Sequence, residues 1–377
     1  PPSGVEQSEY LMLSSKNIDD DIITTDSPRF LSDSDYIVEN KRTNVNEGDL
    51  LMTIVGTIGR VAIVPQELEG ICLQRSVAVI KPNRKAVNNR YLMYQLQNMR
   101  PFLEKEARGV AQKGIYLKQV SQLDIKLPEL EHQMQIVKVL DKASKLIFLR
   151  RQQLAKLDEL VKARFVEMFG DPISNPFGFK VESLQEMLDD NAITYHLDGN
   201  HGSDYPRNEE FVESGVSYIS ANCIIDDNVN LQLAKHLTEE RAAKLRKGIA
   251  QDEDVLFAHN ATVGPVAILH TRETKVVLGT SLTAYRCNKQ RILPSYLKAY
   301  MQSEGFVRQY TKDMKQTTRN QVPITAQRKY LFIVPPLSLQ NRFASFVERI
   351  DQQKQTVQQS LEKLELMKKA LMQEYFG

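Results

Sequence analysis

The chain has 377 residues, of which 42% are hydrophobic and 25% are charged, and its formal net charge is +2. These values are typical of a globular protein with room for two domains. The small net charge argues against a protein that holds nucleic acid by bulk charge alone, so a nucleic-acid contact would need local patches or a partner subunit.

The cysteines and the apolar runs indicate in which cellular compartment the protein works. Cys72, Cys223 and Cys287 are odd in number and too far apart for metal-ligand spacing, so we expect buried, unpaired thiols in a reducing cytoplasm. No apolar run approaches the ~18 residues of a membrane span, and no signal-peptide pattern opens the chain. These features exclude a membrane partner.

The first predicted elements are short β-rich runs on either side of a glycine pair. Gly56 and Gly59 permit a tight chain reversal with positive φ between two of these runs. A third strand follows, and then a helix whose apolar residues recur at helical spacing. Strands with scattered short helices, without regular alternation, favour an α+β domain. The predicted strands are 49–54, 60–64 and 71–80, and the predicted helix is 88–98.

A long helix is the clearest predicted element. From Glu131 apolar residues recur at i, i+3, i+4 and i+7, and neither proline nor glycine occurs before Gly170. About 38 residues correspond to about 57 Å of helix. Helices of this length usually pair with another helix. Packing along its own domain is the alternative, but the stripe is narrow and is interrupted by Arg150 and Arg151, which favours a two-helix seam.

A short motif follows this helix. Asn175-Pro176-Phe177 is similar to the loop with which amino-methyltransferases hold a flipped base. It lacks the second proline of that loop, and no glycine-rich turn for S-adenosylmethionine precedes it. We interpret it as a turn between the helix and the next domain.

The elements then recur in the same order. Asp49 corresponds to Asp254, an offset of 205 (254 − 49 = 205). In the long helices the offset becomes 207, where Phe169 corresponds to Phe376 (376 − 169 = 207). Residues 171–205 have no counterpart before residue 1, so we expect the first unit to lack its opening segment. The second unit is predicted to contain strands 254–259, 265–269 and 276–285, a helix over 294–302 and a second long helix that ends at 377.

The predicted architecture is therefore α+β, with two similar α/β domains and two long helices. The domains are 1–130 and 170–338, and the helices are 131–169 and 339–377. If domains and helices close head to tail, the two helices run antiparallel as a coiled-coil spacer. A pseudo-twofold axis then relates the two halves.

The sequence contains no convincing catalytic motif. The phosphate-binding loop G-x-x-x-x-G-K-[ST], the G-x-S-x-G turn, the H-E-x-x-H helix motif and paired CxxC motifs are all absent. The six histidines show no ligand spacing. We therefore expect neither a catalytic residue nor a metal site in this chain.

Two matched polar stretches suggest binding chemistry instead. Residues 105–114 and 312–321 hold equivalent positions before the long helix of each unit. Arg reads guanine edges, Asn and Gln read adenine edges, and Lys, Ser and Thr hold phosphates. A solvated loop is the alternative, because such composition is common. The candidate DNA-binding residues here are Arg108, Gln112, Lys113, Lys312, Lys315, Gln316, Thr317, Thr318, Arg319 and Asn320.

Further candidates lie at matched strand ends where the two units differ. Gln74-Arg75-Ser76 corresponds to Gly279-Thr280-Ser281, and Ile54-Val55-Gly56 corresponds to His259-Asn260-Ala261. Two domains that share a backbone but differ in these polar side chains could recognise two different sequences. The alternative is that these residues are simply the polar starts of ordinary strands. The candidates at these positions are Arg60, Gln74, Arg75, Ser76, His259, Asn260, Thr280 and Ser281.

The ordered motifs resemble those of a known family. The first unit carries GDLLMTIVGTIGRVAIV, ICLQRSVAVIKP and a Gly-Ile…Ile-x-Leu-Pro run that ends at Pro128, and Gln133 follows. A Phe169-Gly170-Asp171-Pro172 junction leads into the second unit, whose counterparts extend through Val334-Pro335-Pro336-Leu337. Over essentially its whole length, the chain resembles the specificity subunit (HsdS) of type I restriction–modification systems.

The resemblance implies two target recognition domains, each of which reads one half of a split sequence in double-stranded DNA. The long helices would set the distance between them. It also implies that two modification (methyltransferase) subunits bind this chain, bring S-adenosylmethionine and methylate an adenine in each half-site. Restriction subunits, which use ATP and Mg²⁺, would join to cut unmodified DNA. The chain itself would hold no cofactor and no catalytic residue.

Two other functions stay open from the residues alone. One is a two-headed protein-binding adaptor without DNA specificity, in which the repeated loops meet protein. The other is a single-chain DNA methyltransferase that works through Asn175-Pro176-Phe177. Competition by DNA would distinguish the first from a DNA reader, and binding of S-adenosylmethionine by the isolated chain would indicate the second.

Overall fold

The computed structural model describes residues 4–107, 114–314 and 320–377. The chain divides into two units, each with its own core. Unit 1 comprises residues 1–152 and 358–377, and unit 2 comprises residues 153–357. Both boundaries fall inside the long helices, whereas the domain limits expected from the sequence follow the helix ends. Each unit therefore contains one mixed domain and a part of both long helices.

Unit 1 is built on two three-stranded sheets, with strand orders β4-β1-β7 and β6-β5-β8, and a small hairpin, β2-β3. The strands are β1 Leu11–Leu13, β2 Ile18–Asp19, β3 Ile22–Ile23, β4 Arg29–Phe30, β5 Leu50–Thr53, β6 Val61–Ile63, β7 Cys72–Leu73 and β8 Val77–Ile80. The helices are α1 Asp33–Thr43, α2 Asn89–Asn98, α3 Arg100–Glu106, α4 Leu117–Val120 and the long α5 Leu130–Phe169.

The central strand of unit 1 is β5, which pairs antiparallel with β6 and β8. Successive side chains of a strand point to opposite faces of its sheet. Leu50 and Met52 accordingly join the apolar cluster that contains α2 and the long helices, whereas Leu51 joins the cluster that contains Leu13 of β1. Both faces of β5 are thus buried.

Unit 2 repeats this plan with longer sheets, of orders β10-β20-β17-β18-β14-β13 and β11-β15-β12-β19-β16, and a β21-β9 pair. Its strands are β9 Lys180–Ser183, β10 Ile193–Asp198, β11 Phe211–Val212, β12 Val216–Ile219, β13 Ile224–Ile225, β14 Asn228–Val229, β15 Lys235–Leu237, β16 Ile249–Ala250, β17 Val255–Ala258, β18 Val266–Ile268, β19 Val276–Leu278, β20 Leu282–Cys287 and β21 Leu331–Val334. The helices are α6 Leu184–Asp189, α7 Glu239–Ala243, α8 Pro294–Met301, α9 Glu304–Met314, α10 Ile324–Gln327 and the long α11 Leu337–Phe376.

The third predicted strand of each unit is wrong in one respect. The runs 71–80 and 276–285 each form two strands, β7 and β8 or β19 and β20, which belong to different sheets. A turn separates the two strands, closed by Val77 N donating to Gln74 O (3.1 Å) or by Leu282 N donating to Gly279 O (3.2 Å). The polar triplet is therefore the point at which the chain crosses between sheets. The predicted helices over 88–98 and 294–302 are confirmed as α2 and α8.

The two central sheets differ at one edge. In unit 2, β20 lies between β17 and β10, and β21 pairs with β9. In the described part of unit 1, β8 pairs only with β5, and the counterpart of β21 forms no strand. The additional strands β9 and β10 both belong to the stretch 171–205.

The long helices α5 and α11 have 40 residues each. Within unit 2, Phe165 contacts Phe343 (ring centroids 5.7 Å apart), and Leu157 packs beside Ile350 and Val357. Residue numbers thus fall along one helix as they rise along the other. Within unit 1 the early part of α5 likewise packs on the last turns of α11. The antiparallel pairing predicted from the apolar stripe is confirmed.

A buried glutamine fixes the start of α5 to the domain of unit 1. Gln133 is wholly buried. Its Nε2 donates to Ala86 O (3.1 Å) and Pro128 O (2.7 Å), and its Oε1 accepts from Asn88 N (2.8 Å). These backbone groups belong to the turn before α2 and to the end of the preceding loop, so one side chain ties both to the helix.

Gln340 repeats this arrangement at the start of α11. It is also wholly buried, and its Nε2 donates to Arg291 O (3.1 Å) and Pro335 O (2.9 Å). Its Oε1 accepts from Leu293 N (2.9 Å). Gln133 is part of the motif that carries the family resemblance, and the structure gives both glutamines a role as a clamp between helix and domain.

The far end of each long helix completes an apolar core. In unit 1, Phe376 of α11 contacts Tyr91 with ring centroids 5.3 Å apart. In unit 2, Phe169 of α5 contacts Tyr296 with ring centroids 4.8 Å apart. Gly170 ends α5 with φ +76°, as the helix-stop prediction requires. Each unit's core therefore contains the start of one long helix and the end of the other.

Three smaller predictions can be compared with the structure. Cys72 and Cys223 are buried, Cys287 is half-buried, and all three are unpaired. Asn175 forms a turn whose side chain bonds to the backbone N (3.0 Å) and O (2.8 Å) of Phe179, which confirms the interpretation of this motif as a turn. None of the helices in the described ranges combines the length and apolar character needed to cross a membrane.

Candidate nucleic-acid interface

Three loops of unit 1 meet at one end of the central sheet. Ile54 N donates to Ser76 O (2.9 Å), and Ile115 N donates to Ile54 O (2.8 Å). The Ser76 hydroxyl accepts from Ser15 N (3.1 Å). We call this end tip 1 and define it as residues 54–60, 74–76 and 114–115.

Unit 2 repeats the same hydrogen bonds. His259 N donates to Ser281 O (2.9 Å), and Val322 N donates to His259 O (2.8 Å). The Ser281 hydroxyl accepts from Ala221 N (2.8 Å). We call this end tip 2 and define it as residues 259–265, 279–281 and 320–322. The matched strand ends picked out from the sequence, and the described ends of the two basic stretches, are therefore brought together in space by the same backbone frame in both units.

The tight reversal at each tip depends on left-handed backbone conformations. In tip 1, Gly56 and Gly59 have φ values of +84° and +77°, which confirms the predicted glycine turn. In tip 2, Ala261 replaces the first glycine and keeps a φ of +64°. Ala261 N donates to Asn320 O (3.0 Å), and this bond holds a conformation that an alanine rarely adopts.

Arginine side chains give tip 1 its chemistry. Arg75 is exposed in the turn between β7 and β8. Arg60 is half-buried, and its guanidinium faces the Asp19 carboxylate at 3.6 Å. A cleft of about 370 Å³ next to the glycine turn is lined by Gly56, Thr57, Ile58, Arg60, Arg100 and Glu104. The exposed guanidinium of Arg75 can approach a nucleic-acid groove.

Arg100, which lines the cleft next to tip 1, was not among the residues predicted from the sequence. It forms a salt bridge with Asp20 and donates to Gly59 O (3.2 Å), so it stabilises the glycine turn through a hydrogen bond to the turn's backbone. Its counterpart in unit 2 is Gly305 (100 + 205 = 305). A charged residue opposite glycine at a matched position is the signal that could have drawn attention to it.

Polar side chains surround tip 2. Asn320 is exposed, Asn260 and Thr280 are half-buried, and Lys312 is exposed in the last turn of α9. An isolated bridge joins Asn260 to Gln321. The matching bridge in unit 1 joins Val55 to Gly114. Asn260 and Gln321 of tip 2 thus stand where tip 1 has Val55 and Gly114.

His259 is turned inward. It is 2% exposed, with Nδ1 facing Val322 O and Nε2 facing Thr280 O, both at 3.1 Å. Burial lowers the pKa of this imidazole to about 4, so the ring is neutral near pH 7 and donates to one carbonyl at a time. Like the Ser76 and Ser281 hydroxyls, the His259 ring is hydrogen-bonded to backbone groups of its own unit.

Eight of the predicted DNA-binding residues lie outside the described residues. They belong to the two matched basic stretches and are Arg108, Gln112, Lys113, Lys315, Gln316, Thr317, Thr318 and Arg319. The ends of these stretches are described, and they adjoin tip 1 at Gly114 and tip 2 at Asn320.

The opposite end of each central sheet carries a matched ion pair. Lys81 bonds to Asp49 at 2.5 Å, and Arg286 bonds to Asp254 at 2.8 Å. These carboxylates also accept backbone N–H groups of Asn46 (2.9 Å) and of the corresponding turn in unit 2. Their charges are neutralised within each unit, in contrast to the exposed arginine of tip 1. Within the described ranges, no group of three or more His, Cys, Asp or Glu side chains is placed to hold a metal ion.

Comparison with known proteins gives consistent matches. The family model "Type I restriction modification DNA specificity domain" matches residues 14–159 and 191–366. The MjaVIII type I restriction enzyme specificity subunit of Methanocaldococcus jannaschii is 22% identical over 342 residues, which cover 89% of this chain and 80% of that protein. The EcoBI specificity subunit of Escherichia coli is 34% identical over 103 residues, covering 27% of this chain and 22% of that protein.

Two solved structures share the fold. The S subunit of a type I restriction–modification system from M. genitalium has a TM-score of 0.54 and 14% identity, covering 100% of this chain and 90% of its own. A chain from a structural study of complex assembly in the type I R-M system has a TM-score of 0.53 and 17% identity, covering 97% and 91%.

Proposed function

The chain belongs to the family defined by the type I restriction modification DNA specificity domain, and from this premise we propose how its two tips share the reading of DNA. It is the DNA specificity subunit of a type I restriction–modification enzyme and has no catalytic activity of its own. We propose that tip 1 and tip 2 each enter the major groove at one half of a split target.

One observation carries this proposal. The hydrogen bonds that join the loops of each tip are the same, whereas the side chains on those loops differ. Arg75 corresponds to Thr280, and Val55 corresponds to Asn260. A constant backbone frame with changed polar groups presents two different patterns of donors and acceptors. Because each base pair shows its own pattern in the major groove, two such tips read two different half-sites.

The predicted DNA-binding residues divide by chemistry. Arginine and amide side chains suit base edges, so we assign base contacts to Arg75, Asn260 and Asn320, and to Gln74, Arg108, Gln112, Gln316 and Arg319. Lysine and hydroxyl side chains suit phosphates, so we assign backbone contacts to Lys312 and Thr280, and to Lys113, Lys315, Thr317 and Thr318. Arg60 lies at the cleft beside tip 1, where a phosphate of the same half-site would rest.

The partners follow from the same membership. DNA, modification subunits and restriction subunits are the partners of a type I specificity subunit. We propose that two modification subunits bind this chain, supply S-adenosylmethionine and methylate one adenine in each half-site. Restriction subunits would supply ATP and Mg²⁺ chemistry. The near-neutral charge of +2 fits a subunit whose partners help to enclose the DNA.

The test is to express the chain with its methyltransferase partner and to map methylated adenines across the genome of the host cell. We expect methylation at one motif made of two short half-sites with a fixed gap. Methylation at one continuous site would contradict the proposal. Failure of any DNA to compete with the partner would favour a protein-binding adaptor instead.

A further inference from the structure

Beneath tip 2 lies a polar network that the DNA contacts do not use. Its centre is Gln327, the last residue of α10, which is wholly buried. Tyr285 and Thr283 of β20 and His196 of β10 surround it. We propose that Gln327 is a positioning residue that sets the specificity of tip 2, an inference that rests on the proposed DNA-reading function.

Every hydrogen-bonding position of the Gln327 amide is used. Its Oε1 accepts from the Tyr285 hydroxyl (2.6 Å) and faces His196 Nε2 (3.1 Å). Its Nε2 donates to Thr283 Oγ1 (3.2 Å) and to Val322 O (3.3 Å). An amide has two acceptor lone pairs and two donor hydrogens, so no further partner is needed. These four hydrogen bonds fix both the position and the orientation of the amide. Within the described residues, the buried Nδ1 of His196 has no hydrogen-bond partner, so the amide is the satisfied centre of the network.

The network is connected to all three loops of tip 2 through Val322. Val322 O faces His259 Nδ1 at 3.1 Å in addition to Gln327, and Val322 N donates to His259 O (2.8 Å). The His259 ring faces Thr280 O with its other nitrogen (3.1 Å). Val322 directly follows Asn320 and Gln321 in the chain. A shift at Gln327 would therefore move the loop that presents Asn320 to the DNA.

The described residues of unit 1 form no such network. Gln327 corresponds to Val120 (327 − 207 = 120), which ends α4 as Gln327 ends α10. Thr283, Tyr285 and His259 correspond, at an offset of 205, to Ala78, Ile80 and Ile54, and Val322 corresponds, at an offset of 207, to Ile115. Apolar packing is non-directional and tolerates small shifts, whereas hydrogen bonds define distance and angle. The precision of tip 2 thus depends on a buried amide, and that of tip 1 does not.

The test uses the whole chain in complex with its modification subunits. Duplexes carry either the cognate target or a target with one base pair changed in one half-site, and methylation of each adenine is scored separately. For Gln327→Val, which introduces the residue of unit 1, we expect discrimination at one half-site to fall about tenfold, as loss of a satisfied hydrogen-bond set implies. Discrimination at the other half-site and affinity for random DNA should not change.

A second variant keeps the test independent of folding defects. Tyr285→Phe removes one donor to Gln327 and keeps the buried ring, so we expect a smaller loss at the same half-site. Leu256→Ala is the control, because Leu256 is wholly buried in unit 2 outside the network. It should lower thermal stability without a change in discrimination.

Three outcomes would overturn the inference. These are unchanged discrimination in Gln327→Val, equal loss at both half-sites in Gln327→Val, and the same loss in Leu256→Ala at matched stability. The failure of the proposed function is distinguishable, because the unaltered complex would then discriminate at neither half-site.

Discussion

Arg75 and Thr280 occupy one position in two matching frames. Each is followed by a serine whose hydroxyl accepts a backbone N–H, so the backbone beside it is held in the same way. The side chain at this position is free to differ between the units. In unit 1 the position therefore suits base reading by Arg75, and in unit 2 the shorter Thr280 suits a phosphate contact.

We predict that Arg75→Ala weakens discrimination at one half-site by about 1–3 kcal/mol, the value of a bidentate contact between arginine and guanine. Competition binding with duplexes altered in either half-site measures this loss. Lys85→Ala removes an exposed charge beyond the opposite end of β8 and serves as the control. An equal loss on random DNA would instead identify Arg75 as a phosphate contact.

The buried histidines make unit 2 sensitive to acid. Burial lowers the pKa of both His196 and His259 to about 4, whereas an unfolded chain protonates these rings near pH 6.5. Their contribution to stability is complete above about pH 6.5 and is lost as the pH falls from there towards 4, because only the unfolded state takes up protons in that range.

We therefore predict that peptides of unit 2 lose protection from hydrogen exchange between pH 7 and pH 5 more than peptides of unit 1. Mass spectrometry of exchange at each pH gives the measurement. His132→Asn is the control, because His132 is exposed and should leave the difference unchanged. Equal losses in both units would contradict the assignment of this effect to the buried rings.

Sequence could locate the tips but not the direction of each side chain. The constant offset places Ser76 on Ser281 and Ile54 on His259, and the structure brings these positions together. The burial of His259 could not be predicted in this way, because a polar residue at a strand end is compatible with either solvent or the interior. Its inward position depends on Val322 and Thr280, which are distant in sequence.

At the scale of elements, the glutamine clamps decide how the long helices leave their domains. Gln133 satisfies two carbonyl oxygens and one N–H group that are remote from water. Backbone groups left without a partner in the interior cost about 1–3 kcal/mol each. The rigid start of α5 therefore depends on a single amide.

We predict that Gln133→Leu lowers the free energy of unfolding by roughly 2–4 kcal/mol, because it leaves these backbone groups unsatisfied. Urea unfolding followed by circular dichroism measures the change. Gln135→Leu, an exposed site two residues further along α5, should change stability by less than about 0.5 kcal/mol. If both variants lost similar free energy of unfolding, the effect would come from the helix surface rather than from the buried hydrogen bonds of Gln133.

The predicted elements follow from periodicity, and the exceptions have a local cause. The 3.6-residue stripe predicted both long helices and their pairing, since only a narrow face is apolar. The continuous apolar character of 71–80 could not reveal that the chain changes sheets there. The signal was the triplet Gln74-Arg75-Ser76, whose polar residues close a turn instead of continuing a strand.

At the scale of the whole molecule, the stability of each unit depends on residues far apart in sequence. Phe376 is 8% exposed and lies in the core of unit 1 with Tyr91 and Leu140. Phe169 has the equivalent place in unit 2. The internal repeat predicted two similar domains, but the exchange of helix ends between cores is a property of the folded chain.

We predict that Phe376→Ala destabilises unit 1 by about 3–5 kcal/mol, the usual cost of removing a buried phenylalanine side chain. Hydrogen exchange in peptides around Tyr91 should rise, while peptides of unit 2 should be little changed. Leu366→Ala, at a site that is 70% exposed on the same helix, is the matched control. Equal effects of the two substitutions would contradict a core role for Phe376.

Because each unit contains the end of the other unit's long helix, the two units cannot fold in the order in which they are synthesised. Unit 2 draws only on residues 153–357, so its interior can close as soon as this stretch has left the ribosome. Unit 1 emerges first, yet its interior still lacks Phe376, which is synthesised much later. We therefore expect the nascent chain to finish its second half before its first, with an apolar surface around Tyr91 exposed to chaperones in the interval.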